Sequence, residues 1–319
     1  MPKIAIVQKA PVLLDRDRTL AVAVESVGEA AAAGAQLVVF PETFVPGYPA
    51  WIWRLRPGGD MALTERLHSL LLRNAVDLSE GGLDPLCEAA KNQNVTVVCG
   101  IHERGAESSR GTLYNTVVVI GADGRIQNRH RKLMPTNPER MVWGMGDGAG
   151  LKTVKTPCGR IGTLICWENY MPLARYALYA SGIDVYIAPT YDSGERWLAT
   201  LQHVAREGGC WVLGAGCAFR GSDIPDSFPA KELFAQPDDW INGGDSVVIA
   251  PNGKIVAGPM RNALGMLYAD VEVEQVGSAR RTLDVVGHYA RPDIFHLEVD
   301  TRAGRPVKLV SEAAGQTGS

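Results

Sequence analysis

Four residues far apart in the chain carry the types that nucleophilic chemistry needs. Cys166, in the run LICWENY, follows a short apolar stretch and precedes Trp167 and Glu168. GRIGTLIC has a strand pattern, and ENYMPLARYALYASG has a helix pattern, with Asn169 near the cap and Pro172 in the first turn. The cysteine therefore falls between the carboxyl end of a strand and the start of a helix. Open α/β sheets hold their ligands there, and helix-start amides lower a thiol pKa. A packed core thiol is the competing reading, because free cysteine is among the most buried residue types. A thiol nucleophile needs a base and a positive group near the developing anion. Glu42 follows LVVF and Pro41 directly, again at a strand's carboxyl end, though in isolation such a glutamate reads as a loop or cap residue. Lys132 ends RHRK, where alternation puts Asn128, His130 and Lys132 on one face and Gln127, Arg129 and Arg131 on the other. Glu139 follows in LMPTNPERMVWG. A solvated basic edge and a structural salt bridge compete with functional roles for these two. His130 could lie near the thiol, but none of the six histidines stands in a recognisable partner motif.

The elements that must position these groups alternate strand and helix. KIAIVQ (3–8) and LVVF (37–40) read as strands flanking a helix through LAVAVESVGEAAAAGA, which Asp15 or Asp17 could cap. Helices over about 61–75 and 84–92 precede a strand VTVVCG (95–100). Two hairpins carry Asp123–Gly124 and Asn252–Gly253 at their turns. AAAGAQLVVFPET is faintly echoed by YASGIDVYIAPTY. The echo suggests two related sheets packed face to face, with helices outside. Chance similarity between α/β units is the alternative. Helix α/β alternation with hairpins predicts an α/β fold with mixed sheets. In GERWLATLQHVAREGG, the stripe Trp197, Leu201, Val204 and Ala205 reads as packing. Leu173, Tyr176, Ala177 and Ala180 fall on one face of the helix after Cys166. One domain is expected over residues 1–290, followed by an extension, 291–319, whose end EAAGQTGS is small and polar and expected to be disordered.

The totals remove several classes of function. The chain of 319 residues is 46% hydrophobic and 21% charged, with a net charge of −3. That balance gives no global pull toward nucleic acid or anionic membrane. No apolar run approaches the ~20 residues of a membrane helix. The N-terminus reads as a first strand, not a signal peptide. Six dispersed cysteines, without CxxC pairs or a cysteine–histidine cluster, suit free thiols in a reducing cytoplasm and suggest no zinc site.

Three segments, PETFVPGYP, HRKLMPTNPERMVWGMGDG and CWENYMPLARYALYASGIDVYIAPT, together resemble the signature regions of the nitrilase (carbon–nitrogen hydrolase) superfamily. Their order and spacing agree, with 90 positions from Glu42 to Lys132 and 34 from Lys132 to Cys166. The similarity runs from about residue 3 to 295, ending in GHYARPDIF, and CWEN, PERMVWG and GHYARPD resemble the true nitrilase branch. The resemblance implies a four-layer α-β-β-α sandwich of two mixed sheets with outer helices. It implies Cys166 as nucleophile, Glu42 as general base, Lys132 as the cation and Glu139 as an additional glutamate of the same site. The implied reaction takes an organic nitrile to the carboxylic acid and ammonia through a thioimidate and a thioester, with no metal or organic cofactor. An amidase or carbamoylase acting on an amide C–N bond is the alternative within the superfamily. Tyr48, Trp51, Trp167 and Tyr191 adjoin the motifs and are candidate pocket walls, with core or interface packing an equal reading for Trp51 and Tyr191. The resemblance also implies a homodimer that builds larger, often spiral, homo-oligomers through the helix after Cys166 and the helix containing Trp197. Segment 220–242 reads as a lid or an oligomer contact.

Overall fold

The computed structural model describes residues 1–304, apart from residues 57, 106–108, 230, 234, 235 and 237. The tail EAAGQTGS lies outside the described residues. In chain order the elements are β1 (Lys3–Gln8), α1 (Arg16–Ala32), β2 (Ala35–Val39), α2 (Met61–Asn74), α3 (Asp84–Gln93), β3 (Thr96–Arg104), β4 (Leu113–Ile120) and β5 (Ile126–Arg131). The second half runs β6 (Val154–Thr156), β7 (Gly159–Thr163), α4 (Pro172–Ala180), β8 (Val185–Thr190), α5 (Glu195–Gly208), β9 (Trp211–Gly216) and β10 (Ala218–Arg220). It closes with β11 (Trp240–Ile249), β12 (Ile255–Arg261), β13 (Gly265–Asp270) and α6 (Glu274–Arg280).

The strands form two mixed sheets, ordered β13-β1-β2-β3-β4-β5 and β10-β11-β9-β8-β7-β6, with β12 added on β11. Each sheet has a core of three parallel strands, β1-β2-β3 in one and β7-β8-β9 in the other, flanked by antiparallel strands. Parallel neighbours need crossover connections, and helices supply them. The chain echo between AAAGAQLVVFPET and YASGIDVYIAPTY falls on β2 and β8, the middle strands of these two cores.

Three apolar clusters separate four layers. Alternate side chains of the first sheet, such as Ala5, Val7, Val38 and Val97, pack on α1 and α3. Their opposite-facing neighbours Ile4, Ile6, Leu37, Val39 and Val98 meet Ile161, Val185, Ile187 and Leu213 of the second sheet. Tyr186, Ala188 and Val212 then pack outward on α4 and α5, whose buried stripe includes Trp197, Leu201, Val204 and Ala205. Strands buried on both faces have no alternation to show, which is why β2 and β8 read as continuous apolar runs. Asp15 caps α1, its carboxylate accepting the Arg18 N–H at 3.0 Å. Gly124 and Gly253 turn the two hairpins at φ +78° and +84°, the left-handed conformation that such turns require.

One local expectation is corrected. Asn169 does not cap α4; Met171 holds that position and Pro172 opens the helix. The face Leu173, Tyr176, Ala177 and Ala180 is not the buried one. Ala174, Arg175, Leu178 and Tyr179 face the core, and Leu173 is 65% exposed. Arg175 is mistaken for a surface residue by polarity alone, yet its guanidinium is consumed by Glu207 at 2.8 Å and by the Asn169 carbonyl at 2.7 Å.

Candidate active site

The carboxyl ends of the parallel strands meet at one rim, and the chemistry-bearing residues leave from there. Cys166 follows β7 after two residues and opens a short 3-10 turn, Cys166–Tyr170. Its φ is +51°, a conformation that costs a residue with a side chain about 1–3 kcal/mol and needs support from its surroundings. The support is extensive. Asn169 donates its side-chain amide to the carbonyls of Leu164 and Cys166 at 3.0 and 2.7 Å, and is itself held by Tyr186 Oη at 2.7 Å. Glu168, fully buried, accepts the backbone N–H of Ile165 and of Leu133, each at 2.6 Å. It therefore ties the residue before the nucleophile to the residue after Lys132. His130 completes this bracket, its Nε2 3.0 Å from Glu168 Oε2. His130 thus serves the scaffold, and the thiol's hydrogen-bond partner is Thr190 Oγ1, 3.2 Å from Sγ.

Glu42, Lys132 and Glu139 form one buried ionic chain. Lys132 Nζ lies 2.8 Å from Glu42 Oε1 and 2.7 Å from Glu139 Oε2. The alternation read along RHRK holds: Asn128, His130 and Lys132 are buried, while Arg129 and Arg131 reach Glu103 on the other side. Glu42 also accepts Asn115 Nδ2 and the Tyr191 N–H, both at 2.7 Å. Glu139 accepts the Tyr48 hydroxyl and the Thr136 N–H, both at 2.7 Å. Each carboxylate is therefore satisfied by neutral donors as well as by the ammonium, as buried charges must be.

Burial, then the Glu42 charge, push the Cys166 thiol well above its ordinary range, against the pull of Lys132. Burial raises Glu42 as well, with Lys132 opposing and Glu139 adding to the rise. For Lys132, burial disfavours the ammonium, but Glu42, Cys166 and Glu139 outweigh it and raise its pKa. The resting arrangement is a protonated thiol beside a carboxylate whose proton affinity is increased, with a cation fixed between two acids. Cys166, Glu42 and Lys132 thus shift one another's proton affinity.

The site opens into a cavity of about 450 Å³, lined by Tyr48, Trp53, Glu139, Cys166, Trp167, Tyr191, Asp192, Trp240 and Asn242 among others. Three of the four aromatic candidates lie on it. Tyr48 and Tyr191 stack at 3.8 Å, and Trp167, 51% exposed, stands at the mouth. Trp51 does not line it. Trp51 packs on Phe228 and borders a separate small cavity beneath α2. In segment 220–242, Ile224 and Phe228 are buried in the same cluster as Trp51, while Trp240, Ile241 and Asn242 reach the active cavity. Sequence reading missed Asn115, Thr190, Asp192 and Asn242, whose types are ordinary in strands and loops. Glu168 carried a signal only through its place in CWEN.

Comparison with known proteins gives the chain's family. Residues 3–281 match the carbon–nitrogen hydrolase family, and the chain belongs to it. An aliphatic nitrilase of Sinorhizobium fredii is 40% identical over 297 residues, spanning 93% of this chain and 94% of that protein. Nitrilase 2 of Arabidopsis thaliana is 40% identical over 316 residues, 96% of this chain and 91% of its own. A bifunctional nitrilase/nitrile hydratase of Lupinus angustifolius is 40% identical over 311 residues, 96% and 88%. Within the family the chain therefore falls in the nitrilase branch, as a hydrolase of carbon–nitrogen bonds. The fold is shared more widely. A carbon–nitrogen hydrolase from Helicobacter pylori G27 superimposes with a TM-score of 0.69 at 19% identity, covering 92% of this chain and 96% of that one.

Proposed function

We propose that this protein hydrolyses an organic nitrile to the carboxylic acid and ammonia through a covalent intermediate on Cys166. The observation that supports the mechanism is a buried ammonium held between Glu42 and Glu139, with Cys166 and Glu139 both lining one aromatic cavity. Glu42 takes the thiol proton as Sγ bonds to the nitrile carbon and passes it to the nitrile nitrogen, which gives the neutral thioimidate and restores the carboxylate. Lys132 keeps one N–H beyond its two carboxylate bonds, and that donor, with the Trp167 N–H, stabilises charge on the nitrogen. Glu42 then deprotonates a water that adds to the same carbon. Ammonia leaves, a thioester remains, and a second water releases the acid and the thiol. Glu139 keeps Lys132 charged and in place.

The branch point is the tetrahedral species after the first water. Loss of ammonia leads on to the acid, whereas loss of the thiol releases an amide. The bifunctional names of several relatives motivate counting both products. Incubation with matched nitriles and amides, with ammonia and organic product quantified, tests this reading. Turnover of nitriles with one ammonia per acid supports it, and activity confined to amides overturns it.

The protein is further proposed to be one domain to residue 290 that assembles as a homo-oligomer in the cytoplasm. Leu173 and Tyr176 of α4 share an open cleft with Tyr289 and with Ile294 and Phe295 of the extension, an apolar surface suited to a second copy.

A further inference from the structure

The cavity that holds Cys166 has an uneven charge. Two carboxylates line it, Glu139 and Asp192, and no lysine or arginine side chain does among the described residues. Glu139 is consumed by Lys132, Tyr48 and Thr136. Asp192 is different. Its Oδ2 accepts Trp167 Nε1 at 2.9 Å, and its Oδ1 accepts the Ser193 N–H at 2.8 Å. Both donors are neutral. They fix the carboxylate's direction without cancelling its charge, and no described cation lies within ion-pair distance of it. The neighbouring cations have other partners. Lys132 is held by its two glutamates, Arg54 lies near the Tyr191 hydroxyl, Arg220 lies on the Trp240 ring at 4.5 Å, and Arg261 is paired with Asp245 and Glu195.

Asp192 is also close to the reacting atom. Its N–H donates to Thr190 Oγ1 at 2.8 Å, and the same oxygen is 3.2 Å from Cys166 Sγ. Trp167, which orients the carboxylate, is covalently next to the nucleophile. A substituent a few bonds from a nitrile carbon held at Sγ would meet this carboxylate. The remaining walls include the aromatic residues Tyr48, Trp53, Tyr191 and Trp240 and add no charged side chain.

We propose that Asp192 is the specificity-determining residue of this pocket, selecting nitriles that carry a protonated amine near the nitrile carbon over neutral and carboxylate-bearing nitriles of the same length. The inference rests on the nitrilase reading and adds the substrate class to it. An oriented, unpaired carboxylate in a half-enclosed site attracts an ammonium and repels a carboxylate, so one group acts both for and against.

The test compares γ-aminobutyronitrile, valeronitrile and cyanopropionate with wild-type protein and Asp192→Asn. Asparagine keeps an oxygen for Trp167 Nε1 and removes the charge. In the wild type, kcat/KM falls in the order amine, neutral, carboxylate. The amine-to-neutral ratio drops about five- to tenfold in the variant, mainly through KM. A ratio equal in the two proteins overturns the inference, since a merely structural aspartate would move both substrates alike. Inhibition of wild-type valeronitrile hydrolysis gives a second readout that needs no variant. Butylammonium is expected to inhibit at a lower concentration than its neutral isostere 1-butanol, and the reverse order would also overturn the inference. Absence of wild-type turnover on all three substrates and on benzonitrile would sink the nitrilase reading itself, an outcome distinct from an unchanged ratio.

Discussion

At the scale of single residues, the chemistry is governed by where one proton resides. The Cys166 thiol is pushed up by burial and by Glu42, so at neutral pH it enters the reaction protonated and depends on a base. Glu42 works only when deprotonated, and burial raises its pKa above the ordinary 4.5. Activity must therefore rise with pH through that raised value. A pH profile of kcat/KM is expected to place the acid limb above 4.5, and a limb at or below it would contradict the assignment. Asn115 donates to the Glu42 carboxylate and lowers its pKa, so Asn115→Ala should move the limb further up. Glu42→Gln should reduce kcat by about 10²–10⁴-fold, the usual contribution of a positioned general base. Glu168 acts through others. Glu168→Gln sets an amide N–H against one of two backbone donors, and should lower kcat more than it raises KM. An unchanged kcat would remove Glu168 from the positioning scheme.

At the scale of elements, the site depends on close approach between a strand and the loop carrying Glu42. A Cβ at Gly100 of β3 would lie 2.2 Å from the Pro41 carbonyl oxygen and 2.4 Å from the Thr43 nitrogen. Gly100→Ala must displace that loop, and a shift near 1 Å at a catalytic group costs on the order of 10²-fold in rate. Steady-state kinetics on folded variant measures it, with wild-type kcat as the contrary result. His102, also on β3, accepts Trp143 Nε1 at 3.0 Å and donates Nε2–H to the Gly47 carbonyl at 3.0 Å. Burial depresses its pKa from 6.5 to about 3. The unfolded chain then binds a proton that the folded chain refuses, so stability present above about pH 6.5 is lost as pH falls toward 3. At pH 5 the loss is about 2 kcal/mol. Urea midpoints between pH 7.5 and 5 should show it, and His102→Gln should flatten it. Elements were largely legible in the sequence because hairpin dipeptides, caps and apolar runs are local signals. The buried face of α4 was not. Its exposed stripe is as apolar as its buried one, and Arg175 enters the core only because distant Glu207 neutralises it.

At the scale of the molecule, two similar sheets bring their parallel strand ends to one rim, and residues 42, 132, 139 and 166 converge there. The motifs identified these four residues in the chain, but not what holds them, since Glu168, Thr190 and Asn115 act through contacts between distant segments. Trp51 illustrates the opposite failure. Proximity to a motif in sequence suggested the cavity, and the 3-10 turn after Pro49 directs its ring to Phe228 instead. The exposed α4 face, with Leu173 65% exposed, carries the assembly prediction. Leu173→Glu with Tyr176→Glu should reduce the molar mass in light scattering, and an unchanged mass would exclude this face as the contact. The central claim is a carbon–sulfur bond at Cys166, and mass spectrometry of protein acid-quenched during turnover tests it most directly. The account predicts a substrate-derived acyl or imidoyl adduct on the peptide containing Cys166, lost in Cys166→Ala together with all turnover. An adduct on another residue, or nitrile hydrolysis surviving in Cys166→Ala, would contradict it.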